Sequence, residues 1–138
     1  MFVEYQPTTA SATAFAGAGK LEEWVHRFLR GEGDNQAFSE GLLLEPRRYY
    51  PPEKMDLALL ERCCGPEAAM KYPVPEADFR KHVGEIAAFY QEGGWDMPPL
   101  IVYRGDSGYE LNDGNHRYEA LKQLGIPQYW VIFWETVG

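Results

Sequence analysis

The run Asn112-Asp113-Gly114-Asn115-His116-Arg117-Tyr118-Glu119-Ala120-Leu121 constrains this chain more than any other: a strand-like stretch ends there at a glycine turn and an amphipathic helix begins. A helix that starts at such a turn leaves its first backbone N–H groups without intrahelical partners and presents the positive end of its dipole. Both features favour a phosphate or carboxylate, and His116 and Arg117 add side-chain donors at the same place. The expectation from the residues alone is a phosphate-bearing ligand at Gly114, Asn115, His116 and Arg117. Arg117 is the stronger ligand candidate because its planar fork meets two oxygens at once. The competing reading for the pair is a helix start in which Arg117 bridges to Glu119 or Glu110 and His116 caps a carbonyl. Asp113 reads either as the N-cap or as a metal ligand acting through water.

The rest of the chain is ordered around that turn. Phe79, Val83, Ile86 and Tyr90 recur every three to four residues between Glu76 and Gln91, which predicts an amphipathic helix ending at Gly93-Gly94. Pro98-Pro99 then precede the β-rich Leu100-Ile101-Val102-Tyr103, and Gly105-Asp106-Ser107-Gly108 turns it back into Tyr109 to Asn112 as a hairpin. The helix after Gly114 stops at Gly125, and Tyr129 to Trp134 form a closing strand on which Trp130 and Trp134 share a face.

Before this part, Leu21, Trp24, Val25, Phe28 and Leu29 make one apolar stripe of a helix that ends at Gly31 and Gly33. Leu42-Leu43-Leu44, between Gly41 and Pro46, suits a brief buried strand. Met55, Leu57, Leu59 and Leu60 suggest a helix from Met55 to Cys63. Residues 1–19 hold small and polar side chains with few large apolar groups and read as a flexible N-terminal arm; residues 20–138 form one domain, with its motif-bearing part at 76–136.

Composition narrows the function. A chain of 138 residues that is 45% hydrophobic has apolar material for a single core. Its net charge of −8, from 21 acidic and 13 basic residues, repels polyanions, so DNA is a disfavoured partner. Neither a membrane-spanning run nor a secretory leader is legible, and the expected compartment is the cytoplasm. Cys63 and Cys64 are adjacent, a spacing that bridges only with backbone strain, and they read as a buried helix-end pair. His26 and His82 lack ligand-spaced partners for a metal. Arg47 and Arg48, beside Tyr49 and Tyr50, read equally as charge and stacking surface for a base or as surface residues with amphipathic stems. A homodimer stays open.

The order of elements from Phe79 to Trp134, with Asp113-Gly114-Asn115-His116-Arg117-Tyr118-Glu119-Ala120 at its centre, resembles the ParB/sulfiredoxin superfamily. The resemblance implies an α+β fold, a small mixed sheet flanked by helices in a single domain. In sulfiredoxins the position of Asn115 is a nucleophilic cysteine, so Cys-dependent sulfinate reduction by that route is excluded. In ParB proteins the motif holds the triphosphate of CTP, with DNA-binding segments beyond it that this sequence does not show. In the related free-serine kinases an acidic residue near the first strand acts as base, and Glu45 lies nearest that position. The resemblance therefore implies an ATP- or CTP-binding domain with Mg2+, Asp113 toward the metal and Glu45 as catalytic base, working as a phosphotransferase or nucleotide hydrolase. The alternatives are a non-enzymatic nucleotide-binding regulatory module and a DNA-associated ParB-like protein of nuclease type.

Overall fold

The architecture follows from two alternating patterns in the strands. In the computed structural model, which describes residues 3–137, Leu100 and Val102 face one side of the sheet and Ile101 the other, while Val131 and Phe133 oppose Ile132 and Trp134. Both faces are apolar, so both must be covered.

One face, through Ile101, Ile132 and Trp134, is covered by α1 (Thr9–Gly17), α2 (Leu21–Arg30) and Leu42 at the end of α3 (Gln36–Leu42). The other face carries α5 (Asn115–Gln123), which buries Tyr118 and Leu121. Outside it lies α4 (Glu76–Gln91), packed on α5 through Phe79, Val83, Ala87 and Ala120. The expected helices over Leu21–Arg30, Glu76–Gln91 and the stretch after Gly114 are all present.

The sheet is mixed. Its strands are β1 (Arg47–Tyr49), β2 (Glu53–Asp56), β3 (Leu60–Arg62), β6 (Leu100–Gly105), β7 (Gly108–Asp113) and β8 (Gln128–Thr136); β4 (Cys64–Gly65) and β5 (Tyr72–Pro73) form a separate parallel pair. The order is β1-β8-β6-β7-β3, and β2 also pairs with β8. β1 and β2 run antiparallel to β8 in near-continuous register, interrupted at Pro51-Pro52, where no N–H is available to the ladder. β6 and β8 are parallel, and β6 and β7 make the expected hairpin. Its register shifts between Ile101 and Val102: Ile101 faces Asp113 and Val102 faces Leu111, leaving Asn112 as the extra residue of a bulge beside the Gly114 turn.

Three sequence expectations are corrected. Of the expected arm 1–19, residues 1 and 2 lie outside the described residues, and residues 3–19 are not a loose arm: Thr8 caps α1 by accepting the Ser11 N–H, Ala12 and Phe15 are buried in the core, and the Thr9 hydroxyl donates to the Met97 carbonyl at 2.7 Å. Small side chains bury little area, but they let a helix sit close. The Leu42–Leu44 run is not a strand; it is the end of α3, with Leu42 buried and Leu43 and Leu44 exposed. Met55 to Cys63 is not a helix but β2, a single 3-10 turn at Leu57–Leu59 and β3, and Cys63 and Cys64 are free thiols at a strand junction. No helix among the described residues is long and apolar enough to cross a membrane.

Candidate functional site

Gly114 ends β7 and caps α5 with a left-handed backbone, φ 101° and ψ 22°. A Cβ here would lie 2.6 Å from Leu100 Cδ2 and 2.9 Å from Arg117 Nη2, so both conformation and space demand glycine. The first helical bond runs from the Tyr118 N–H to the Gly114 carbonyl at 2.8 Å. The N–H groups of Asn115, His116 and Arg117 therefore precede the ladder.

This helix start opens on a cavity of about 850 Å³ lined by Gly114, Asn115 and His116. Cys63, Cys64, Lys71 and Tyr72 form a second wall, His82 of α4 a third, and the α2–α3 turn with Phe38, Tyr103 and Trp134 an aromatic end. The bulged Asn112 fixes that end: its Oδ1 accepts the Trp134 Nε1–H at 2.9 Å, and its Nδ2 donates to Glu110 Oε1 at 2.8 Å.

The structure places Arg117 elsewhere than expected. Its guanidinium turns inward, donating from Nη1 to the carbonyls of Pro98 and Pro99 (2.8 and 3.1 Å) and from Nη2 to Asp113 Oδ2 (2.9 Å), and it lies over the Phe28 ring. It does not line the cavity and is a buried brace rather than a phosphate ligand. Asp113 is neither the N-cap nor open to a metal: Oδ2 takes Arg117, and Oδ1 accepts the Asn35 Nδ2–H at 3.0 Å. Burial pushes the Asp113 carboxyl up, and the Arg117 charge works against that shift.

Asn115 is spent inside the protein as well. Its Oδ1 accepts the Cys63 and Cys64 N–H groups at 3.0 and 3.2 Å, and its Nδ2 donates to the Leu111 carbonyl at 3.2 Å. Its side chain is a staple between β7 and the β3–β4 junction, leaving its backbone N–H to the cavity. Glu45, expected as base, lies outside this cavity. It is exposed beside Arg47 at 3.8 Å and lines a separate shallow depression with Leu43, Leu44 and Pro46.

Of the expected site residues, the structure brings Gly114, Asn115, His116 and Asp113 to one cavity and separates Arg117 and Glu45 from it. His116 is half-buried, and its pKa is pushed down to about 4, first by burial and then by the charges of His82 and Arg117. His82 was missed as a site residue. The available signal was its spacing from Phe79 on the face of α4 that meets α5. Lys71, whose Nζ lies 3.7 Å from Glu110 Oε1, and Asn35 carried no local signal. Trp134 walls the cavity and Trp130 does not. Neither Arg47 nor Arg48 lines the cavity: Arg47, its side chain 12% exposed, donates to the Gly41 and Leu42 carbonyls and lies over the Trp134 ring, whereas Arg48 is exposed, 4.0 Å from Glu135.

Among the described residues no group of three or more His, Cys, Asp or Glu is placed to hold a metal ion, and the Asp113 oxygens are committed. These residues do not fit a protein-held Mg2+.

No family model matches the chain. No curated protein matches it either. Among solved structures it is similar to sulfiredoxin from Arabidopsis thaliana, at 23% identity over 59% of this chain and 82% of that one, with a TM-score of 0.46. A pNOB8-like ParB N-domain matches at 18% identity over 68% of this chain, with a TM-score of 0.44, and a conserved hypothetical protein from Pyrococcus furiosus at 14% over 59%, with a TM-score of 0.47. The chain spans about 30% of the lengths of those two. At these scores the likeness carries no functional weight. The chain is an α+β domain, a mixed sheet flanked by helices, similar in outline to sulfiredoxin and ParB N-domain structures.

Proposed function

We propose that this chain binds a phosphate-bearing small molecule, with a nucleotide such as ATP or CTP as the best fit, in the cavity at the start of α5. The observation that carries the reading is the joining of two unlike ends in one cavity: unpaired helix-start N–H groups at Asn115 and His116, and an aromatic wall of Phe38, Tyr103 and Trp134. The first suits an oxyanion and the second a planar ring. Binding as a regulatory module is favoured over phosphotransfer because Glu45, the expected base, is outside the cavity. Turnover is the second reading, favoured by one observation: Glu110 stands on the cavity wall as an acidic group, its Oε1 held by Asn112 and Lys71. The net charge of −8 weighs against a nucleic-acid partner, and the reading places the chain in the cytoplasm.

The test is titration with ATP, CTP, ADP and inorganic phosphate, read by calorimetry and by backbone amide NMR shifts. Millimolar or tighter binding that moves the amides of Asn115, His116 and Arg117 supports the site. Stacking contributes about 1–3 kcal/mol per base, so a nucleotide should bind at least about fivefold more tightly than inorganic phosphate. Absence of binding by all four overturns the reading. Release of phosphate from a bound nucleotide, lost in Glu110→Gln, would establish turnover.

A further inference from the structure

We propose that His82 and His116 form a proton-linked clamp for the oxyanion: the two imidazoles close on it in protonated form, and binding takes up protons from solvent. This deepens the preceding reading and rests on it.

The two rings stand on different helices, His82 on α4 and His116 on α5, with centroids 4.5 Å apart and planes at 43°, and both line the cavity. Phe79 backs the His116 ring at 4.8 Å. Neither imidazole makes a hydrogen bond to another described residue, although each carries two ring nitrogens capable of one. The nearby carboxylates are taken up by other groups: Asp113 by Arg117, Glu110 by Asn112 and Lys71, and Glu119 by the Arg62 charge at 3.3 Å, although its buried Oε2 makes no hydrogen bond. The imidazole nitrogens are therefore free hydrogen-bonding capacity at the mouth of a helix start.

Burial first, and then the charges that face it, keep His116 neutral until a ligand arrives. From α4 comes His82, from its own helix Arg117, and the Arg62 guanidinium lies 5.5 Å from the centroid of the Phe79 ring that packs on His116. Lys71 adds a cation from the chain before β5, and Cys64 from β4 is a thiol that burial keeps protonated. The cavity carboxylates nearest α5, Asp113 and Glu110, are each offset by a cation, and Glu32 and Asp34 line the cavity from the α2–α3 turn. A proton on His116 in the empty site thus meets like charge, and a multiply charged oxyanion held between the two rings reverses that balance.

Sulfate is the probe, because it does not titrate near neutrality. Its binding should be measured by calorimetry at one pH in buffers of low and high ionisation heat, and then across pH. The expected result is an apparent enthalpy that tracks the buffer, corresponding to uptake of about one proton per sulfate. Affinity should weaken about tenfold per pH unit on the rise from about pH 4, the level at which the unliganded His116 titrates, up to the value reached in the complex. His82→Gln, an exposed substitution on α4, should flatten that slope and cut the uptake while the melting temperature stays within a few degrees. Binding with no buffer dependence and a flat pH profile would overturn the clamp and leave the phosphate site standing. Silence toward sulfate while ATP binds would also overturn the clamp alone. Failure of sulfate, phosphate and nucleotides together removes both readings.

Discussion

Arg117 Nη2 lies 2.9 Å from Asp113 Oδ2, the two residues one helical turn apart and both buried, so that the end of β7 and the first turn of α5 share one ion pair. Breaking a buried pair from one side leaves a charge without a partner, which costs about 3–5 kcal/mol. Asp113→Ala should lose that much in equilibrium urea unfolding. The double variant Asp113→Leu/Arg117→Met should lose far less than the sum of its singles. Additive losses would mean that the two residues do not act as a pair. An Arg117→Ala variant that fails to bind phosphate consequently reports on folding, not on ligand contact.

Gly114→Ala tests the turn itself. The left-handed φ of 101° and the 2.6 Å approach to Leu100 both oppose a Cβ, and strain at such a position costs about 1–3 kcal/mol. Thermal melts should show a drop of several degrees. A variant as stable as the wild type would show that the backbone relaxes without loss.

Phe15 is 1% exposed and packs in the core with Ala12, Leu21 and Trp24. Truncation of a buried aromatic to alanine costs about 3–5 kcal/mol. Phe15→Ala should therefore destabilise the whole domain in a single urea transition. A change under about 0.5 kcal/mol, the range of ordinary surface substitutions, would return α1 to the status of an appendage.

Stability should fall with acidification below about pH 6.5. The folded protein keeps His116 neutral down to about pH 4, whereas the unfolded chain takes its proton near 6.5. Between those values protons bind the unfolded state preferentially, so the contribution is present above pH 6.5 and is lost as pH falls toward 4. Burial shifts His26, held to Ser39 Oγ at 2.7 Å, in the same direction. Urea midpoints at pH 7 and pH 5 check this, and His116→Gln should narrow the gap between them. An unchanged gap would assign the effect to other groups.

The parts of the fold that could be read from sequence are those whose residues speak locally. The stripe Phe79-Val83-Ile86-Tyr90 and the glycines at 93, 94 and 114 gave helices and turns because periodicity and left-handed backbone leave marks on residue type. Met55 to Cys63 misled for a physical reason. Leu57 and Leu60 are buried three residues apart by a 3-10 turn between two strands, a spacing that imitates one turn of helix. The Ala-rich first helix was hidden because its contribution is close approach rather than area. At the site, the residue types at the helix start were legible but their directions were not. Nothing in Arg117 itself says that it turns toward Pro98 and Pro99, and nothing in Glu45 says that it remains with Arg47.

The strand order has a consequence for how the molecule comes into being. β8, near the end of the chain, is paired on one side with β1 and β2 and on the other with β6. Until residues 128–136 have been synthesised, the first two strands have no neighbour and the apolar residues on both faces of β6 lack the strand that completes their layer. Pairings of such long sequence separation make for slow folding and late commitment. A nascent chain arrested before β8 should therefore remain protease-sensitive throughout, with resistance gained in one step once residues 128–136 have emerged.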